Sequence, residues 1–317
     1  MTDPLLHVEH LSKDFAYQRG IYAAPVPQGA QTVHDVSFDV NAGEIVALAG
    51  EAGSGKTTLA RALALLMRPS SGKVIFEGRD LARQSEGALR PVRRRLQVLF
   101  SDPRTALNPQ NLVSEVMLEP LKVQRIGTTE ERLAAARTAL RQVGLNSLLL
   151  ERRLTALSAG ERQRIALARV LTLKPALVIC DDPARTLPPL AAEGLFKLMS
   201  DLRRKQGVAF LWLVSKIQAV ANFADRIGVL YRGRLVEMGK TADVANSPQH
   251  PYARHLFGGT PPRTSPTDTH HKGCPFQSYC QHVMPVCRER MPEMYATPAA
   301  QTAACFLYDE RQKTKDA

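Results

Sequence analysis

Residues 50–57 read Gly-Glu-Ala-Gly-Ser-Gly-Lys-Thr, and no other stretch of the chain restricts its fold so tightly. Every fixed position of the pattern G-x-x-x-x-G-K-[ST] is met. Glycines there let backbone N–H groups turn inward around a phosphate, at the positive end of the helix that follows. Lys56 can reach the β- and γ-phosphates, and the Thr57 hydroxyl can ligate Mg2+. Upstream, EIVALAG (44–50) is a short β-rich run; downstream, TTLARALALLM (57–67) carries its apolar residues on one helical face. Strand, glycine-rich turn and helix in that order make half of a βαβ unit. The expected fold is α/β with a P-loop core, and the expected ligand is a nucleoside triphosphate.

The remaining elements agree with such a core. ALVICD (176–181) reads as a strand buried on both faces, as in a parallel sheet, and VAFLWLVS (208–215) as another. TTEERLAAARTALRQVGL (128–145), ERQRIALARVLTL (161–173) and GLFKLMSDLRRKQG (194–207) have helical patterns. DRIGVLYRGRLVEMG (225–239) reads as a hairpin turning at Arg232–Gly233. LLHVEHLSKDF (5–15) alternates as an edge strand, TVHDVSFDV (32–40) as a second, and a Gly/Pro-containing loop lies between them. After HPYARHLF (250–257) comes the linker GGTPPRTSPTDTHHKG, then a Cys- and Pro-rich tail from 273.

A chain of 317 residues, 44% hydrophobic and 23% charged, can bury a full core and has the composition of a soluble globular protein. Its longest apolar run, VAFLWLV (208–214), is far short of the roughly 18 residues that cross a bilayer. MTDPLLHVEH lacks a basic region followed by an apolar block, so no secretory signal is expected and the protein is expected in the cytosol. The net charge of +12 is compatible with polyanion binding. The basic residues are scattered, however, Arg90–Arg95 being the densest cluster, and no nucleic-acid module is present.

Many families share a P-loop; LSAGERQRIALARVL (157–171) narrows the choice. It resembles the ABC-transporter signature LSGGQ and its following helix. Together with FSDPRTALNP (100–109), GVLYRGRLVEMG, SPQHPYARHLF and the Cys-rich tail, it makes nearly the whole chain similar to ATP-binding subunits of ABC importers for oligopeptides, dipeptides and nickel. The resemblance implies an ABC-type nucleotide-binding domain over 1–257, with an antiparallel β edge and a helical subdomain at about 101–165. A linker and Cys-rich C-terminal module would follow over 258–317. It also implies two ATP molecules sandwiched between two subunits, each site combining one subunit's phosphate loop with the other's signature.

On this resemblance ATP and Mg2+ are held by Gly50, Glu51, Ala52, Gly53, Ser54, Gly55, Lys56, Thr57 and Thr58, with Asp181 on Mg2+ and Phe15 stacked on adenine, Tyr17 being the competing aromatic. Ser158, Ala159, Gly160 and Glu161 form the signature offered to the partner's ATP. Expected partners are a second ABC ATPase subunit in a heterodimer, two transmembrane permeases and an extracytoplasmic solute-binding protein. The location is peripheral, on the cytoplasmic face of the membrane, with no nucleic acid involved.

Four positions depart from the family. The γ-phosphate-sensing Gln falls at Ser101, too short for the same gap; the switch His falls at Ser215, which cannot become cationic. The water-polarising Glu falls at Asp182, one methylene shorter, and the loop acid that pairs across the dimer falls at Pro188. Misplacing a water-orienting carboxylate forfeits roughly 10²–10⁴-fold in rate, so this site is expected to hold ATP rather than consume it. Alternative readings are a regulatory nucleotide-binding protein and a soluble ABC ATPase acting on nucleic acid. Glu161 has two readings as well: it caps its own helix in the box Ser158-x-x-Glu161, or it places negative charge near the partner's ATP.

Five cysteines are unevenly spread. Cys180 falls mid-strand, as a buried core residue. Cys274, Cys280, Cys287 and Cys305 have the spacing C-x5-C-x6-C-x17-C, which lacks the close C-x2-C pairs of many zinc ribbons. In a reducing compartment the set suits a metal better than disulfides. The readings are a [4Fe-4S] cluster, favoured by the resemblance, Zn2+, or free thiols. His270 and His271 precede Cys274 and read as solvated linker residues.

Overall fold

The computed structural model describes residues 3–14, 33–258 and 272–313. Phe15, Tyr17, His270 and His271 lie outside these residues. The chain divides into two compact units, one of Met1–Leu6, Asp39–Ile45 and Ile75–Val214, the other of His7–Phe38, Val46–Val74 and Ser215–Ala317.

In the first unit, strands Leu96–Leu99, Leu177–Asp181 and Ala209–Val214 pair in parallel, with Leu99 opposite Cys180 and Asp181 opposite Leu213. The last two strands are buried at every residue, which is why their sequences are unbroken apolar runs. Trp212 is fully buried and packs on Phe196, ring centroids 4.9 Å apart. Cys180 is core, as its mid-strand position implied. Helices Val113–Val123, Thr129–Gln142 and Ala159–Leu171 pack against one another. The prolines after Asp182 open a helix: Pro188 is the N-cap and Pro189 the first residue of Pro189–Gln206, where a missing N–H has no intrahelical role to lose.

In the second unit, the sheet runs Tyr295–Ala296, Thr302–Ala303, Arg234–Lys240, Arg226–Tyr231, Ile45–Ala49. Val46–Ala49 is parallel to Arg226–Val229, and the other pairings are antiparallel. The hairpin turns where the sequence places it. Arg232 (φ 46°) and Gly233 (φ 78°) are both left-handed, as a two-residue hairpin loop requires. Leu6–Lys13 departs from its expected edge position and pairs on both sides, with Val33–Val40 and with Ser71–Phe76. Its alternation records one buried face, not the number of neighbours.

Candidate functional site

The phosphate loop leaves the buried strand Ile45–Ala49 and enters helix Lys56–Leu63 through Gly55, whose φ of 96° only glycine adopts at no steric cost. A Cβ at Gly50 would lie 2.4 Å from the Leu230 carbonyl and 2.5 Å from Ser54 Oγ, so the loop hugs the hairpin strand. The Gly233 N–H donates to the Ser54 carbonyl at 2.9 Å and pins the loop to the hairpin turn. Lys56 is buried; its Nζ donates to the carbonyls of Gly50 (2.6 Å) and Glu51 (2.7 Å) and to Ser54 Oγ (3.2 Å). The helix has no acid in its first turn. A glycine cradle, a helix N-terminus and a buried cation form a donor set suited to a polyphosphate.

In the first unit, Ser101 follows the strand ending at Leu99, and Asp181 and Asp182 stand at the end of Leu177–Asp181. Ser215 is the next residue after Ala209–Val214. All four are at carboxyl ends of parallel strands, where α/β sheets bind ligands. Asp181 is buried. Asp182 is left-handed (φ 48°), and its N–H donates to the Leu213 carbonyl at 2.7 Å. Asp is among the few non-glycine residues that enter this region readily. Pro188 is exposed.

The signature serine caps its own helix. Ser158 Oγ accepts from the Glu161 N–H (3.2 Å) and donates to Glu161 Oε2 (2.7 Å), which also accepts from the Ser158 N–H (2.9 Å). These bonds, the backbone one foremost, hold the Glu161 carboxyl below its usual range. Around Gly160 an added Cβ would meet open space. The densest basic cluster is engaged locally: Arg93 pairs with Glu86 (2.9 Å) and Arg95 with Glu77 (2.6 Å).

These features coincide with two family matches. Residues 33–185 match the ABC transporter family, and residues 236–287 match the oligopeptide/dipeptide transporter C-terminal region. A Brucella ovis protein named for peptide import and ATP binding is 34% identical over 321 residues, covering 96% of this chain and 99% of its own length. The chain belongs to the ABC transporter ATP-binding proteins. Two further relatives of this family are each 30% identical. The oligopeptide transport ATP-binding protein AppF of Bacillus subtilis spans 96% of this chain and 98% of its own length. The dipeptide transport ATP-binding protein DppF of Escherichia coli spans 98% and 96%. Among solved structures, cbiO1 of Clostridium perfringens, part of the transporter complex cbiONQ, superposes with a TM-score of 0.66 at 24% identity, over 80% of this chain and 96% of that one. At that identity the likeness speaks to the fold: an ABC cassette.

The C-terminal region of this ABC protein is built on one cluster. Val229, Tyr231 and Val236 of the hairpin pack with Tyr252, Cys274, Phe276, Cys287 and Phe306. Cys274, Cys280, Cys287 and Cys305 line a single cavity of about 10 Å3 with Phe276 and Phe306, room for about one water. Burial pushes the Cys274 thiol up to about 12 and Cys305 to about 11. The donors are the right kind for a soft metal, but among the described residues no three His, Cys, Asp or Glu side chains are gathered to hold an ion. The expectation of an iron–sulfur cluster or zinc therefore finds thiols around one cavity but no formed metal site.

Sequence reasoning missed a buried constellation beside this cluster. Glu237 is wholly buried in its strand; Oε1 accepts from the Gln249 N–H (2.9 Å) and Oε2 from the His250 N–H (2.7 Å). Burial raises its carboxyl to about 7 and lowers the His250 imidazole to about 3. The local signal was a lone acid in the apolar strand RLVEMGK. Among the described residues, no helix is long and apolar enough to cross a membrane.

Proposed function

We propose that this chain is the ATP-binding subunit of a peptide-type importer. Within it, the chain's own phosphate site holds ATP while its signature completes the site of a second, better-equipped ATPase subunit. The names of AppF and DppF support the cargo class. One observation carries the rest: Ser101, Asp182, Pro188 and Ser215 occur together in a chain whose Gly50–Thr57 loop and Ser158 and Gly160 are intact. The loop N–H groups and Lys56 bind the phosphates. Thr57 and Asp181 would hold Mg2+, which when bound supplies charge neutralisation. Hydrolysis depends almost wholly on positioning and charge stabilisation, and the four departures remove both from this side. Two permeases and a solute-binding protein complete the assembly, with the chain peripheral on the cytoplasmic membrane face. Residues 1–257 serve as the cassette and 258–317 as its appended module.

Titrating the purified chain with MgATP while assaying phosphate release tests this. Saturable binding lost in Lys56→Ala, with phosphate release close to the spontaneous level, is expected. Sustained turnover by the isolated chain, abolished by Lys56→Ala, contradicts the holding role.

The four tail cysteines are carried in this reading as a metal-holding set. Four thiols on one cavity support it, although they would have to draw together around the ion. Protein purified without oxygen is then expected to contain about four irons per chain. Stoichiometric zinc alone replaces the cluster with a structural ion, and neither metal removes this element.

A further inference from the structure

Two helices of the first unit meet at a joint rich in cations. Helix Glu86–Arg95 carries Arg93 and Arg95, neutralised by Glu86 and Glu77, and also Arg90 and Arg94. The last two lie one turn apart on one face, are exposed, and form no ion pair among the described residues. The Arg90 guanidinium donates to the Val123 carbonyl at the carboxyl end of helix Val113–Val123, and Gln124 Nε2 donates back to the Arg90 carbonyl at 3.3 Å. That helix end adds Lys122 and Arg125, exposed and likewise without an ion pair among the described residues. Every acid of the two helices is committed: Glu86 to Arg93 (2.9 Å), Glu115 to the Leu112 N–H (2.7 Å) and Glu119 to Arg169 (2.9 Å). Four uncompensated cations therefore stand at one joint beside Val123, which is 56% exposed. The helix ends in a Schellman turn, with the Ile126 N–H on the Leu121 carbonyl (2.9 Å) and the Arg125 N–H on the Lys122 carbonyl (3.0 Å). Arg125 is left-handed there (φ 55°), where glycine is the usual residue. A cation kept at a strained backbone position points to a use for its charge.

We propose that this joint is a docking surface for the headgroups of anionic lipid. The negative surface of a bilayer attracts Lys and Arg within about a Debye length, ~8 Å at physiological salt, and each such cation strengthens binding roughly fivefold. Val123 suits the same partner, because an apolar side chain beside cations can enter the boundary between headgroups and acyl chains. Nucleic acid suits the joint less well: neither helix carries an aromatic side chain on which a base could stack. The bonds that link Arg90 to Val123 and Gln124 hold the cations of both helices together before any partner arrives, so binding does not have to assemble them. The proposal goes beyond the reading of the chain as an importer subunit, which needs permeases but no lipid contact of its own.

The test is co-sedimentation of the full-length chain, at physiological salt, with vesicles of phosphatidylcholine alone and with vesicles in which about a third of it is replaced by phosphatidylglycerol. Wild type is expected to bind the anionic vesicles and not the neutral ones; equal binding to both, or to neither, overturns the proposal. Arg94→Gln with Arg125→Gly removes two of the charges, and the second change supplies the residue that the turn prefers. The pair is expected to weaken binding to the anionic vesicles about 25-fold, and each change alone roughly fivefold, so the single variants carry the test if the pair folds poorly. Lys197→Gln with Lys205→Gln removes the same charge from exposed positions of helix Pro189–Gln206 and is expected to weaken binding less than about threefold. Equal weakening by the two pairs would reduce the effect to net charge and overturns the proposal. Tighter retention on duplex DNA than on the anionic vesicles, lost with Arg94 and Arg125, would assign the joint to nucleic acid and overturns it too. None of these positions belongs to the ATP site, so MgATP affinity within about twofold of wild type is expected in every variant. A wild type that binds anionic vesicles but no MgATP would sink the ATP reading and leave this proposal standing.

Discussion

The Ser158 hydroxyl donates to Glu161 Oε2 at 2.7 Å while accepting from the Glu161 N–H at 3.2 Å, so the residue proposed here to meet a partner's nucleotide is also the cap of its own helix. The single hydroxyl proton serves one acceptor at a time, so facing a phosphate requires it to rotate away from Glu161 Oε2 while the oxygen keeps accepting from the Glu161 N–H. The cap accounts for Glu161 in place of Gln, since either side chain can accept from the Ser158 N–H.

Ser158→Ala removes one limb of this box and is expected to cost roughly 0.5–2 kcal/mol of stability, read as a lower midpoint in chemical denaturation. Ser158→Thr should retain most of it. Because the Glu161 carboxyl lies below its usual range, its share of the cap is present above pH 4.5 and is lost as pH falls through the lowered value. An alanine variant as stable as wild type at neutral pH would show that the box carries no weight.

The loop's approach to the hairpin gives a second expectation. With 2.4 Å between a Cβ at Gly50 and the Leu230 carbonyl, Gly50→Ala must displace the loop from the strand. MgATP affinity is expected to fall at least about tenfold, since a small misplacement of positioned groups is expensive. Affinity within twofold of wild type would contradict the described seat of the loop.

Glu237 and His250 have opposite pH senses. Glu237, raised by burial from 4.5 to about 7, favours the fold below pH 4.5 and loses that contribution as pH rises through about 7. His250, lowered by burial from 6.5 to about 3, favours the fold above pH 6.5 and loses that contribution as pH falls through about 3. Between pH 4.5 and 6.5 the two slopes oppose. Relative to wild type, Glu237→Gln should make stability rise more steeply with pH across that window, and His250→Asn should make it fall. Denaturant midpoints at half-unit pH steps decide this; two variants with parallel pH profiles would contradict the assignment.

Features that depend on residues close in sequence were legible there. The phosphate loop, the Arg232–Gly233 turn and the Ser158–Glu161 box each need particular residues at short fixed spacing, because each is a backbone conformation with its own stereochemical demand. Strand Ser71–Phe76 was not read, since it opens on Ser-Gly, a loop pattern. Helix Val113–Val123 carries Pro120 inside it, which breaks the local signal although the helix is held by its neighbours. The Glu237–His250 relationship joins a strand to the turn before a helix, and no sequence pattern records it. For the four tail cysteines the sequence disclosed the donor type and the shared location, but not how closely the thiols would be drawn together.

The central claim, that this chain holds one ATP and completes the site that turns over the other, is tested most directly by two variants in the assembled complex with its partner ATPase. Asp182→Asn alters the chain's own site, and Ser158→Arg puts a bulky cation where the partner's nucleotide must meet this signature. Steady-state phosphate release is predicted to change by less than about threefold in the first and to be mostly lost in the second, the loss falling in the roughly 10²–10⁴-fold class of misplaced catalytic groups. Loss of hydrolysis in Asp182→Asn as severe as in Ser158→Arg would show that the shortened carboxylate is catalytic, and the asymmetric account would be wrong.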